Sequence, residues 1–197
     1  MAKKKKAAPR KKAARPAKRS VPARRPAVRA KASVPAADGA LLGSVERFLY
    51  RQAELLDGRR WDDFIELFTA DGIYWMPASP EQTTGDGVPS IFYEDRNLMT
   101  VRMKRLRHPH AWSQMTAWGT SHLIGNVAIE TDDRRTGELV VRSRFHVMEF
   151  RHDATRHFAG SYVHHLRRTS DGFRIKLQRV DAVNAQGPYE YVLQAWL

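Results

Sequence analysis

Between Ser121 and Val183 the chain is written as four long extended segments in a row, and no other stretch constrains the fold as strongly. The segments are Ser121–Thr131, Glu138–Arg151, Arg156–Arg168 and Gly172–Val183. Asp132-Asp133 with Gly137, then His152-Asp153, then Ser170-Asp171-Gly172 separate them, and these residue types suit tight turns. Strands joined by connections this short run antiparallel, as a meander. In the last segment Phe173, Ile175 and Leu177 alternate with Arg174, Lys176 and Gln178, which predicts a strand with one wet face.

Helical patterns come first. Leu41, Leu42, Val45, Phe48, Leu49, Gln52, Leu55 and Leu56 share one stripe at i, i+3, i+4 spacing, with Gly58 just past the end. A short second helix carries Trp61, Phe64, Ile65 and Phe68 inward, with Asp62 and Asp63 in its first turn. Asp71-Gly72 breaks it, and Ile73-Tyr74-Trp75-Met76 reads as a strand stopped by Pro77. A loop rich in Pro, Gly, Ser and Thr spans residues 78–89. Beyond it, the segment Ile91–Leu106 holds Leu98, Met99, Met103 and Leu106 at helical spacing. Helices followed by a long sheet give an α+β class, with the helices on one face of a strongly curved sheet that closes into a cone.

Charge divides the chain. Residues 1–37 hold 14 Lys and Arg and no acid, so the formal net charge of +13 is a tail of +14 on a remainder of −1. Repeated proline and like-charge repulsion oppose packing there. We therefore expect residues 1–40 to be a disordered tail and residues 41–197 a single cone-shaped domain. The tail's function is open between a solvated extension and a polyanion or nucleic-acid contact through Lys3, Lys4, Lys5, Lys6, Arg10, Lys11 and Lys12. No apolar run approaches the ~18 residues of a membrane span, and no apolar segment follows the basic start as a secretory signal requires. The expected location is cytoplasmic.

The sequence has no cysteine, which excludes disulfides, thiolate metal sites, iron–sulfur ligation and a cysteine nucleophile. Histidine is the remaining place to look for chemistry. His164 and His165 are adjacent on a strand and point to opposite faces. His122 and His146 lie on different strands and can converge inside the cone near Asp57, as a general base or a two-His, one-carboxylate iron site. Against this, no spacing resembles a metal-ligand motif, and Gly85-Asp86-Gly87 lacks the Lys of a phosphate loop. The aromatics Trp61, Tyr74, Trp75, Trp112 and Trp118 read as core or subunit interface. Arg102–Arg107 is open between a solvated helix face and an interface stripe.

The runs 48–57 (FLYRQAELLD), 61–64 (WDDF) and 71–77 (DGIYWMP) resemble the small (β) subunit of Rieske aromatic-ring-hydroxylating dioxygenases. The same order continues through 93–96 (YEDR), 102–106 (RMKRL), 121–127 (SHLIGNV), 158–160 (FAG), 165–168 (HLRR) and 175–180 (IKLQRV). The likeness covers residues 45–183.

The resemblance implies a cystatin-like cone and a chain without cofactor or catalytic residues. A partner α subunit would hold the Rieske 2Fe-2S cluster and the mononuclear Fe(II). It further implies an α3β3 hexamer around a β trimer, fed from NAD(P)H through a reductase and performing O2-dependent cis-dihydroxylation of an aromatic ring. The segment 90–96 is closest to the benzoate- and toluate-type branch, which points to an aromatic carboxylate. Trp75, Arg102, Arg105, Trp112 and His122 are the candidate interface residues. The family pattern starts near Leu41, so it leaves the tail unexplained, and Ser161 stands where a basic residue often follows the glycine. Two rival readings remain: a stand-alone dehydratase or isomerase using a pocket His with Asp57 or Tyr50, and a nucleic-acid-binding protein acting through its tail.

Overall fold

The computed structural model describes residues 39–111, 114, 117–188, 193 and 196–197. Helix α1 (Gly39–Asp57) and helix α2 (Trp61–Glu66) lead into strand β1 (Phe68–Pro77). Strand β2 (Ser90–Asp95) and helix α3 (Arg96–Leu106) follow, then β3 (Trp118–Asp133), β4 (Glu138–Arg151), β5 (Ala154–Thr169) and β6 (Gly172–Ala182). The six strands form one sheet in the order β2-β1-β6-β5-β4-β3. β3 to β6 make the expected antiparallel meander, and β1 joins its β6 edge in parallel. The sheet is therefore mixed, with helices against its inner face.

β4 shows how the pattern dictates the placement. Leu139, Val141, Phe145 and Val147 are buried on its inner face, while every second residue from Arg142 to Phe150 points outward. Phe145 stacks on Tyr162 of β5 with ring centroids 4.3 Å apart. Val45, Leu49, Leu55 and Leu56 of α1 close over this face, joined by Phe64 of α2 and by Met99 and Met103 of α3. Gly160 is required on β5, because a Cβ there would lie 2.1 Å from the Asp181 carbonyl oxygen of β6.

Three local expectations need correction. The segment from Ile91 is a strand, not the start of a helix: Phe92 and Glu94 turn inward, and the helix begins only at Arg96. Asp95 caps it, its carboxylate accepting the Leu98 N–H at 2.8 Å. Phe68 belongs to β1 rather than to α2, and Asp71-Gly72 appears as a register irregularity within that strand.

The alternation along β6 breaks at Lys176, where a bulge leaves Leu166 opposite Ile175 but His165 opposite Leu177. Leu177 is thereby turned to the outer face and Gln178 to the core, where the Gln52 amide donates to its carbonyl oxygen at 2.7 Å. Strand β3 is also interrupted, between Gly125 and Ala128, with Asn126 at φ 53°. Such bulges bend and twist the sheet into its cone.

Candidate functional site

The interior was the first place sequence reasoning put chemistry, and two of its residues do meet there. Asp57 ends α1, where a carboxylate faces the negative end of the helix dipole. Strand β3 offsets this with three hydrogen-bonding groups. Thr120 Oγ1 donates to Oδ1 at 2.9 Å, the His122 N–H donates to Oδ2 at 2.9 Å, and His122 Nδ1 lies 2.5 Å from Oδ1. Burial pushes the Asp57 carboxyl up, but the bonds and charge of His122 and the bond from Thr120 outweigh it and hold the carboxyl below its ordinary value. The His122 imidazole is enclosed, its side chain 1% exposed, and its Nε2 has no partner among the described residues.

A His–Asp pair needs room for a substrate before it is a base. Around His122 stand Leu49, Gln52, Ala53, Leu56, Ile124, Tyr162 and His164, and they leave no space that admits a water-sized molecule. His164 is completely buried with both ring nitrogens unpaired among the described residues. Burial, and secondarily the charge of His165, push it down to about 3, so it is neutral at physiological pH.

His146 does not join this group. It lies on the outward face of β4 opposite Leu123, so the expected convergence with His122 near Asp57 does not form. Tyr50 is on the exposed face of α1 and is not available to the interior either. Among the described residues no three His, Asp or Glu side chains gather as a metal site.

The outer face of the sheet carries an open cleft of about 370 Å³. Ile73, Trp75, Tyr93 and Leu177 form its apolar walls, with Asp71 and Lys176 at the edge. Gly85 closes one side: a Cβ there would lie 2.2 Å from the Tyr93 ring, so only glycine lets loop 78–89 pack this closely. Arg179 pins the loop. Its guanidinium sits over Trp75 at 4.4 Å, is held by Asp181, and donates to the carbonyls of Gln82 at 2.6 Å and Pro80 at 3.2 Å. Lys176 is committed to Glu138 at 3.0 Å.

The five candidate interface residues fall in different places. Trp75 floors the cleft and donates from Nε1 to Ser90 Oγ at 3.1 Å. Arg102 pairs with the buried Glu94 and lies over Phe92, while Arg105 is exposed on α3. His122 faces α1 inside the fold. Trp112 and the basic residues Lys3 to Lys12 lie outside the described residues.

Sequence reasoning left the last residues unplaced, yet Trp196 and Leu197 are core. Trp196 packs on Phe64 at 5.0 Å and donates to Glu94 at 2.9 Å. The Tyr74 hydroxyl donates to the Leu197 carbonyl oxygen and accepts its N–H, both at 3.1 Å. The run Ala-Trp-Leu at 195–197 was the available signal. No helix among the described residues is long and apolar enough to cross a membrane.

The family described as ring hydroxylating beta subunit matches residues 51–186. The 2-halobenzoate 1,2-dioxygenase small subunit of Burkholderia cepacia is 30% identical over 141 residues, covering 69% of this chain and 84% of that protein. The anthranilate 1,2-dioxygenase small subunit of Acinetobacter baylyi is 32% identical over 146 residues, covering 72% and 88%. The crystal structure of the benzoate 1,2-dioxygenase β subunit from Burkholderia mallei superposes with a TM-score of 0.63 at 25% identity, covering 77% of this chain and 97% of that one.

Proposed function

The chain belongs to the ring hydroxylating beta subunit family, and from that membership we propose that it serves a dioxygenase by shaping and stabilising the assembly while its partner performs the chemistry. The family match over residues 51–186 carries this reading. The interior supports it, since the His122–Asp57 pair faces packed side chains rather than a substrate site. With no cysteine, this chain has no thiolate for a Rieske cluster, and in keeping with the family the 2Fe-2S cluster and the mononuclear Fe(II) belong to an α subunit. The assembly is an α3β3 hexamer around a β trimer, cytoplasmic, and supplied with electrons from NAD(P)H through a reductase. Its reaction is O2-dependent cis-dihydroxylation of an aromatic ring. Both relatives above are named for ring carboxylates, which favours an aromatic carboxylate as substrate.

Purifying the tagged full chain from its native cell tests this. A stoichiometric, brown, iron-containing partner with Cys-x-His spacing is expected. A colourless homo-oligomer without a partner overturns the reading.

The tail of +14 supports a second, independent role as a tether to nucleic acid or another polyanion. It predicts DNA affinity that falls steeply with salt and is lost when residues 1–37 are deleted. Affinity unchanged by the deletion refutes it.

A further inference from the structure

A cyclic trimer of identical chains needs two unlike surfaces on each copy, because every contact around the ring joins one patch to a different one. The outer sheet face has such a pair at its opposite edges. The aromatic cleft lies on the β2-β1-β6 side. On the β3-β4 side stands an apolar ridge: Leu123, Met148 and Phe150 are 70%, 38% and 43% exposed. Leu123 stands opposite His146 in the register, and Met148 and Phe150 follow His146 at alternate positions, so the three occupy successive outward rungs. Large apolar side chains grouped on a sheet face mark an interaction surface.

The geometry points to ridge-into-cleft packing between copies of this chain, with Leu123, Met148 and Phe150 of one copy seated against Trp75, Tyr93 and Leu177 of the next. This rests on the β-trimer reading given above and names the surfaces that build it.

Charge supports a second copy as the occupant. The outward neighbours of the ridge are Arg144, His146 and His157, and none of the outward positions on those rungs holds a carboxylate. The cleft offers Asp71, and the loop beside it carries Glu81 and Asp86 with no Lys or Arg between 78 and 89. The cations there are already paired, Lys176 with Glu138 at 3.0 Å and Arg179, which lies over Trp75, with Asp181 at 2.8 Å, and His165 also lines the cleft. The ridge is basic at its edge, and the loop beside the cleft is acidic. Both lie on one curved sheet at opposite edges, so each copy can present its two halves to two different neighbours, as a cyclic trimer requires.

The test uses the full chain with Leu123→Glu on the ridge and Thr84→Arg at the cleft, each alone and then mixed. Masses are read by sedimentation. Wild-type chain is expected as a trimer, and each variant at about one third of that mass. An equimolar mixture is expected at about two thirds, because the intact ridge of T84R meets the intact cleft of L123E while the remaining pair of surfaces cannot close. That recovery also shows that both variants are folded. A monomeric wild-type chain, a T84R chain that stays trimeric, or a mixture that stays monomeric overturns the proposal. The same variants co-expressed with the iron-containing partner separate the two readings. If the partner co-purifies while T84R remains trimeric, the ridge–cleft assignment fails and the β-subunit reading stands. If no partner appears with wild-type chain, the β-subunit reading fails.

Discussion

The two faces of the sheet invert the usual signs. The inner face buries polar groups that look like chemistry: Asp57 with His122, Gln52 with Gln178, and His164. The outer face exposes apolar groups that look like core: Leu123, Met148, Phe150 and Tyr93. Hydrogen bonding explains the Asp57–His122 and Gln52–Gln178 pairs, while His164 is buried in its neutral form with both ring nitrogens unpaired among the described residues. A polar side chain inside a fold is tolerated when it finds partners, and Asp57 finds three groups on β3. Of the exposed apolar groups, Tyr93 packs edge-on against Trp75, whereas the exposed surface of Leu123, Met148 and Phe150 gains from burial only when a partner covers it. A catalytic-looking pair can thus be a clamp, and a featureless strand surface can be the working part.

Two phenylalanines on β4 break this comparison most directly. Phe145 faces inward and is fully buried, whereas Phe150, five residues on, faces out. Phe145→Ala is expected to cost about 3–5 kcal/mol of unfolding free energy through lost burial and a cavity. Phe150→Ala is expected to stay within about 0.5 kcal/mol on the isolated fold while weakening self-association. Urea denaturation under conditions where the chain is monomeric reads the first difference, and sedimentation reads the second. Equal losses of stability would mean that the two faces do not differ as described. Next comes the clamp. Asp57→Ala strands the His122 N–H and the Thr120 hydroxyl at the end of α1, for an expected loss of about 2–3 kcal/mol. A larger effect on turnover of the folded assembly than on its stability would restore a chemical role to the pair.

Acid sharpens the same contrast, since its leverage lies on the inner face. His164 is pushed down to about 3 by burial, so the unfolded chain takes up this proton first. Stability therefore falls as pH drops from about 6.5 toward 3, by about 1.4 kcal/mol per pH unit from this residue. Asp57 acts in the same direction lower down. Its folded carboxyl is depressed, so its contribution is full above the ordinary carboxylate value and is lost as pH falls through the depressed one. Glu149 opposes both, because burial raises its carboxyl against the pull of Arg151 and Arg156, and protonation relieves that cost. His164→Asn should flatten the fall between pH 6.5 and 4 in urea midpoints. An unchanged slope would show that His164 is not the residue taking up the proton.

The meander was legible because each of its strands is more than ten residues long and ends at an unambiguous turn. The α1 stripe was legible for the same reason. A period carries no mark of where it slips, and Lys176 shows the cost: one extra residue reverses the faces of Leu177 and Gln178, and so decides both the cleft wall and the Gln52–Gln178 bond. β2 was missed because Ile91-Phe92-Tyr93 runs straight into a helix with no turn residue between them, the cap being Asp95 itself. Of the candidate site, sequence named Asp57 and His122 as neighbours but placed His146 with them. Strand parity separates the two histidines, and parity follows from a register that the sequence does not print. The ridge was invisible for the same reason, since Leu123 and Phe150 read as ordinary strand residues until the pairing shows which side they face.

The smallest expected effect tests whether polar contacts differ between the faces as apolar ones do. Lys176 and Glu138 meet at 3.0 Å on the outer face, with Arg167 also 3.4 Å from the same carboxylate oxygen. Both side chains of the Lys176 pair are about two-fifths exposed, at 42% and 40%. Water competes for such an ion pair, and Arg167 stays behind to hold Glu138, so little of the folded state depends on it. Lys176→Ala should leave the urea midpoint of the monomer where it was, at low and at high salt alike. Inside the chain, by contrast, Arg102 holds the buried Glu94, which also accepts from Trp196. Arg102→Met should lower the midpoint clearly, because a buried carboxylate loses its counter-charge. If Lys176→Ala destabilised the monomer as much as Arg102→Met does, the outer face would be bearing fold stability, and its exposed apolar groups would need a different explanation from a covering partner.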